Sequence, residues 1–170
     1  KIDEYRSSLF KKIPTLNLLK NKSELKILHI TNFNERHNGR LFYNTGRRIN
    51  NGFIRLNHSV LELSDRDIVS YSRKIIDPKG SHRLNSKLID IVSNYVPDLI
   101  VFGHADLIDN KTIEFIKLNY PDTKLCQWFL DRMDSEWRSN RDRFTKKIHL
   151  MDANFCTTDP KSLNFRKNYL

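Results

Sequence analysis

Short apolar blocks separated by amphipathic stretches set the rhythm of this chain from Leu25 onward. Leu25–Ile30 (LKILHI), Val60–Leu63 (VLEL), Asp98–Phe102 (DLIVF), Lys124–Phe129 (KLCQWF) and Ala153–Thr157 (ANFCT) each read as a strand. Their apolar residues are nearly continuous, which predicts strands buried on both faces. Between them, helical spacing predicts helices over about Tyr43–Leu56, over a stretch containing Leu84, Leu88, Ile91 and Val92, over Lys111–Leu118 and over about Glu136–Leu150. Pro97 stops the second of these helices, and Pro121 with Asp122 makes a turn. Ile68–Ile76 is expected to be extended, leading through Asp77, Pro78 and Gly80 into the next helix.

The alternation of strands and helices predicts an α/β domain, a Rossmann-like open parallel sheet of about five strands with helices on both faces in a three-layer sandwich. Before it, residues 1–24 place Ile2, Tyr5, Leu9 and Ile13 at near-helical spacing until Pro14 interrupts them. This segment is expected to be an amphipathic helical extension, and residues 25–170 the domain itself. No internal repeat or long linker divides the chain. The closing charged stretch after Asp159-Pro160 is expected to be an interrupted architecture.

Composition adds a bias in partners. Thirty Lys and Arg against twenty Asp and Glu give a net charge of +10, which favours an anionic partner such as a nucleotide, a phosphorylated substrate, a phospholipid surface or a nucleic acid. Cys126 and Cys156 are the only cysteines; both sit in apolar runs, as expected of buried thiols in a reducing compartment. No apolar stretch approaches the roughly 20 residues that span a bilayer, so a cytoplasmic protein is expected, with peripheral attachment to the inner face of the membrane as an option.

Ligands of open α/β sheets bind beyond the carboxyl ends of the strands, so the loops there carry the candidate chemistry. The first, Thr31–Arg40 (TNFNERHNGR), offers Asn34, Arg36, His37, Gly39 and Arg40, and begins a run from Arg36 to Arg55 with five arginines and no acid. Guanidinium groups with helix-start amides can hold a phosphate, although such a run is commonly a solvated helix face. After the third strand, His104 and Asp106 stand in Gly103-His104-Ala105-Asp106; after the fourth come Asp131 and Arg132, next to Trp128. His104 is a candidate general base, or a histidine hydrogen-bonded within its loop, and Asp131 is the other candidate base. Trp128 is a candidate stacking platform, or a core residue. Asp65-Arg66-Asp67 has the spacing by which some glycosyltransferases hold a cation, but a three-residue match of this kind is more commonly a turn. His29 and His58 read as structural. The glycine fingerprint of dinucleotide binding, the phosphate-loop pattern, zinc-ligand spacing and a serine nucleophile elbow are all missing from the sequence. No metal and no cofactor is therefore expected.

Taken in order, KILHITNF, GFIRLNHSVLELSDRD, VPDLIVFGHADLI, TKLCQWFLDRMD and ANFCTTDPKSL resemble the N-terminal half of a GT-B glycosyltransferase of the spore maturation protein-like group, over about residues 25–165. The resemblance implies the acceptor-side domain of a two-domain enzyme. Such an enzyme moves a sugar from a nucleotide-sugar donor to a hydroxyl on a glycan or lipid-linked acceptor. It also implies that a separate domain, not contained in this sequence, binds most of the donor, so that this half alone is inactive. Carried onto this chain, it puts the acceptor cleft at Asn34–Arg40, His104–Asp106 and Asp131–Asp134. The competing readings are a basic α/β module binding nucleic acid, disfavoured because the basic residues are scattered and match no reading motif, and a receiver-like interaction domain on the same fold.

Overall fold

A computed structural model describes residues 22–73, 77 and 80–158; the expected N-terminal extension and the helix start at Asp159-Pro160 lie outside the described residues. Five parallel strands form one sheet: β1 (Lys26–Thr31), β2 (Ser59–Ser64), β3 (Leu99–Gly103), β4 (Lys124–Phe129) and β5 (Ala153–Cys156), in the order β2-β1-β3-β4-β5. The described helices are α1 (Thr45–Arg55), α2 (Asp65–Ser72), α3 (Ser81–Tyr95), α4 (Asn110–Asn119) and α5 (Arg138–Thr145). This is the expected Rossmann-like open sheet. The chain runs outward from β1 to β2, then crosses back past β1 to β3, so the carboxyl ends of β1 and β3 flank the point where the winding reverses.

Side chains alternate between two covered faces. Leu28, Ile30, Leu63, Ile100, Phe102 and Leu125 pack against Val69 of α2, Leu84, Leu88 and Val92 of α3, and Ile113 and Ile116 of α4. On the opposite face Ile27, Val101, Cys126, Trp128 and Ala153 meet Ile49 and Phe53 of α1. A third cluster of Phe129, Met133 and Phe144 seats α5 at the carboxyl edge. Burying apolar surface contributes roughly 25 cal/mol per Å², which explains why strands with continuous apolar runs sit in the middle of the order.

Two expectations need correction. Residues 65–72 form helix α2 rather than an extended segment, and Lys74–Ile76 lie outside the described residues. Ser64 and Asp67, three residues apart and hydrogen-bonded through their side chains, mark a helix start. The Asp67 carboxylate in the first turn favours the positive end of the helix dipole. These terminal signals override the strand preference of Ile68 and Val69. The single helix expected over 136–150 is instead a 3₁₀ turn at Ser135–Trp137, helix α5, and a second 3₁₀ turn at Ile148–Leu150. No helix among the described residues is long and apolar enough to cross a membrane.

On the α1 face, the Trp128 ring lies across Gly103 of the neighbouring strand, where an added Cβ would overlap the indole. Beyond β3 the indole N–H donates to His29 Nε2 at 3.3 Å, and His29 Nδ1 meets the Asn50 side-chain oxygen at 3.2 Å. Gly103→Ala is expected to destabilise the fold by about 1–3 kcal/mol through overpacking, read as a lower urea midpoint with an unchanged slope. A wild-type midpoint would contradict this packing.

Candidate functional site at the carboxyl edge of the sheet

Three loops meet at the carboxyl edge. The loop after β1 turns through Asn34 in the left-handed conformation into a 3₁₀ turn at Glu35–His37, then through left-handed Asn38 and Gly39. Asp67, near the start of α2, fixes this loop to β2. Its carboxylate accepts from the backbone N–H groups of Glu35 at 2.8 Å and Arg36 at 3.3 Å, from the Arg36 guanidinium at 2.6 Å, and from the Ser64 hydroxyl. Burial pushes the Asp67 carboxyl upward, but these donors hold it below the ordinary carboxylate value. Among the expected acceptor residues of this loop, Arg36 is thus half-buried and ion-paired, whereas Gly39 and Arg40 are exposed and His37 is intermediate.

The loops after β3 and β4 bring His104 and Asp131 together. His104 has φ +53°, a left-handed conformation uncommon for a side-chain-bearing residue. Its ring stacks on Phe129 at 4.2 Å between centroids. Nδ1 lies 3.5 Å from an Asp131 carboxylate oxygen, and Nε2 accepts the backbone N–H of Leu130 at 3.3 Å. These contacts fit the neutral tautomer with its proton on Nδ1. Burial lowers the His104 pKa below the usual imidazole value, and the Asp131 charge partly opposes that shift. Asp131 itself is half exposed, with Arg143 of α5 at 3.9 Å.

Asp106 links this pair to the rest of the edge, facing Arg66 at 3.2 Å and Arg143 at 3.9 Å. Arg66, Arg143 and Lys147 were not singled out from the sequence. Arg66 sits inside a triplet read for its acids; Arg143 and Lys147, four residues apart on a charged stretch, carried only their helical spacing as a signal. Lys147 is 3% exposed and shares a small cavity with His104, Asp106 and Arg143; burial pushes its pKa down. Of the remaining expected residues, Trp128 is 9% exposed and packs on the α1 face, with its ring edge-on to His104 at 5.4 Å between centroids. Arg132 is exposed and pairs with Asp134 and Glu136.

The Asp65-Arg66-Asp67 triplet does not present two carboxylates to a cation. Asp65 is fully buried, with one oxygen accepting its neighbour's N–H at 2.8 Å and the other without a partner. Among the described residues, no three His, Cys, Asp or Glu side chains gather as a metal site. His29 and His58 are structural as read, the latter accepting the Leu25 N–H at 3.3 Å. Cys126 is buried, and burial pushes its thiol up to about 12. No protein-family model, curated protein or solved structure matches the chain.

Two buried groups give opposite pH dependences. Burial raises Asp65 from 3.8 to about 7, so the folded state holds a proton that the unfolded state releases. Its contribution to stability is full below pH 3.8 and is lost as the pH rises through about 7. Burial lowers His29 from 6.5 to about 4, so its contribution is full above pH 6.5 and is lost as the pH falls through about 4. Each displacement corresponds to roughly 3 to 4 kcal/mol, and between about pH 4 and 6.5 the two nearly cancel. Asp65→Asn is expected to stabilise the protein at pH 8 by about 4 kcal/mol more than at pH 4, measured by urea unfolding at both pH values. An equal effect at the two would show that Asp65 is ionised in the folded state.

Proposed function

We propose that this chain is the acceptor-side domain of a glycosyltransferase, working in the cytoplasm or at the inner face of a membrane. The observation that carries the reading is the His104–Asp131 pair, 3.5 Å apart at the carboxyl edge where such sheets bind ligands. In this reading the two residues take different roles. His104 has its Nε2 lone pair engaged by Leu130 and its Nδ1 proton turned toward Asp131, so it positions and orients. Asp131, half exposed, is the group able to take a proton from an acceptor hydroxyl as that oxygen attacks the anomeric carbon. A nucleoside diphosphate then leaves, its developing charge offset by cationic groups and helix N-termini, which in this reading belong mainly to a second, donor-binding domain. The acceptor is a glycan or lipid-linked glycan.

The nucleic-acid reading loses support from the same arrangement. Of the five arginines from Arg36 to Arg55, Arg36 pairs with Asp67 and Arg47 with Glu62, so the run is not one free basic strip.

The test is turnover by the native protein, followed as release of nucleoside diphosphate from a panel of nucleotide-sugars. Asp131→Asn is expected to lower kcat by about 100-fold with little change in acceptor KM. His104→Gln is expected to lose less, because Asp131 stays in place and only the imidazole that orients it is exchanged. Unchanged turnover in both variants would remove the assignment.

A further inference from the structure

Beside the His104–Asp131 pair, on the far side of Asp106, an open groove of about 780 Å³ lies between α2, the start of α3 and the loop before α4. This volume suits a small ligand, and the lining is polar. Arg36, Arg66 and Arg73 contribute three guanidinium groups, Ser81 opens the 15-residue helix α3, and Asp106 and Asp109 supply carboxylates. The functional reading uses neither Arg73 nor Asp109.

We infer that this groove binds a phosphorylated polyol, with Arg66 and Arg73 on the phosphate and Asp106 and Asp109 accepting hydroxyl groups.

Three features argue for that chemistry. Arg36 and Arg66 are held in place by Asp67 and Asp106, whereas Arg73 makes no ion pair among the described residues. A phosphate entering between Arg66 and Arg73 would meet one guanidinium held by Asp106 and one without an ion-pair partner among the described residues, each able to donate two hydrogen bonds to it. The start of α3 faces the same space: its N-cap is Gly80 at φ +66°, which offers no side-chain acceptor, so the positive end of the helix adds to the guanidinium field. There the Asp77 carboxylate accepts the Arg83 N–H at a long 3.4 Å, and its carbonyl accepts the Gly80 N–H at 3.0 Å.

The two carboxylates set the rest of the specificity. They repel a polyanion, which counts against a nucleic-acid strand, and accept hydrogen bonds from hydroxyls, which a bare phosphate lacks. Asp109 is the N-cap residue of α4 through its backbone carbonyl, while its side chain makes no capping hydrogen bond, so its carboxylate is open to a ligand. Calling this ligand the acceptor rests on the transferase reading; its binding does not.

Calorimetric titration at low salt with glucose 6-phosphate, glucose and inorganic phosphate tests the site. Glucose 6-phosphate is expected to bind at least tenfold more tightly than either part. Arg73→Gln, at an exposed position, is expected to weaken it about tenfold, the loss of one charge-assisted contact. Asp109→Asn is expected to weaken glucose 6-phosphate while sparing inorganic phosphate. A parallel arm uses phosphatidylcholine vesicles with and without phosphatidylglycerol. Arg73-dependent binding confined to the phosphatidylglycerol vesicles would support the site and assign its polyol phosphate to a lipid headgroup. No binding in either arm, or binding that both substitutions leave intact, would overturn the inference. Glucose 6-phosphate binding by a native protein that releases no nucleoside diphosphate from any nucleotide-sugar would overturn the transferase reading and leave the groove standing. Nucleotide-sugar turnover by a native protein that binds neither glucose 6-phosphate nor the vesicles would do the reverse.

Discussion

The indole of Trp128 crossing Gly103 to reach His29 is the contact on which the carboxyl edge depends. It joins β4 to β1 over the top of β3, three strands held by one ring. Only a residue without a Cβ lets the ring lie that close, and only a buried neutral imidazole can accept from the indole on one side while meeting Asn50 on the other. Asn50 in turn donates to Glu62 of β2 at 2.6 Å, so the polar chain runs from β4 to the edge strand. Low dielectric strengthens such a satisfied chain and penalises any break in it.

The opposite face secures the same edge by different means. Packing of Leu28, Ile100 and Leu125 against α3 and α4 fixes the strand positions without direction-specific bonds. At the carboxyl ends, charged groups take over. Arg66, Asp106, Arg143, Asp131 and His104 form a run of close ionic contacts in which each charge has an opposite neighbour. Exposed pairs of this type contribute little to stability, so this run fixes side-chain orientation at the edge more than it supplies folding energy.

Strand positions were legible because parallel central strands are apolar without interruption; the predicted Lys124–Phe129 matches β4 residue for residue. Helix α2 was not, because Ile68 and Val69 suggest extended chain locally while the deciding signal, Ser64 bonded to Asp67, lies at the junction with β2. The separate placement of His104 and Asp131 at strand ends was legible, since strand ends face one edge. Their contact was not, nor was the left-handed backbone of His104 that turns the ring onto Phe129. Arg143 and Lys147 reach the edge only because α5 packs through Phe144 against Phe129 and Met133, a tertiary fact that local sequence does not carry. Trp128 read more readily as core than as a stacking platform, and Gly103 on the adjacent strand explains how its ring fits there.

Asp67 holds the loop after β1 through two backbone amides and one guanidinium before anything binds. A loop already ordered has no conformational freedom left to surrender to a ligand, so that entropic cost falls on folding instead of association. Recognition at this edge then resembles a rigid mould more than a closing hand: affinity differences among ligands track how well each matches a fixed array of donors, and they surface chiefly in dissociation rates.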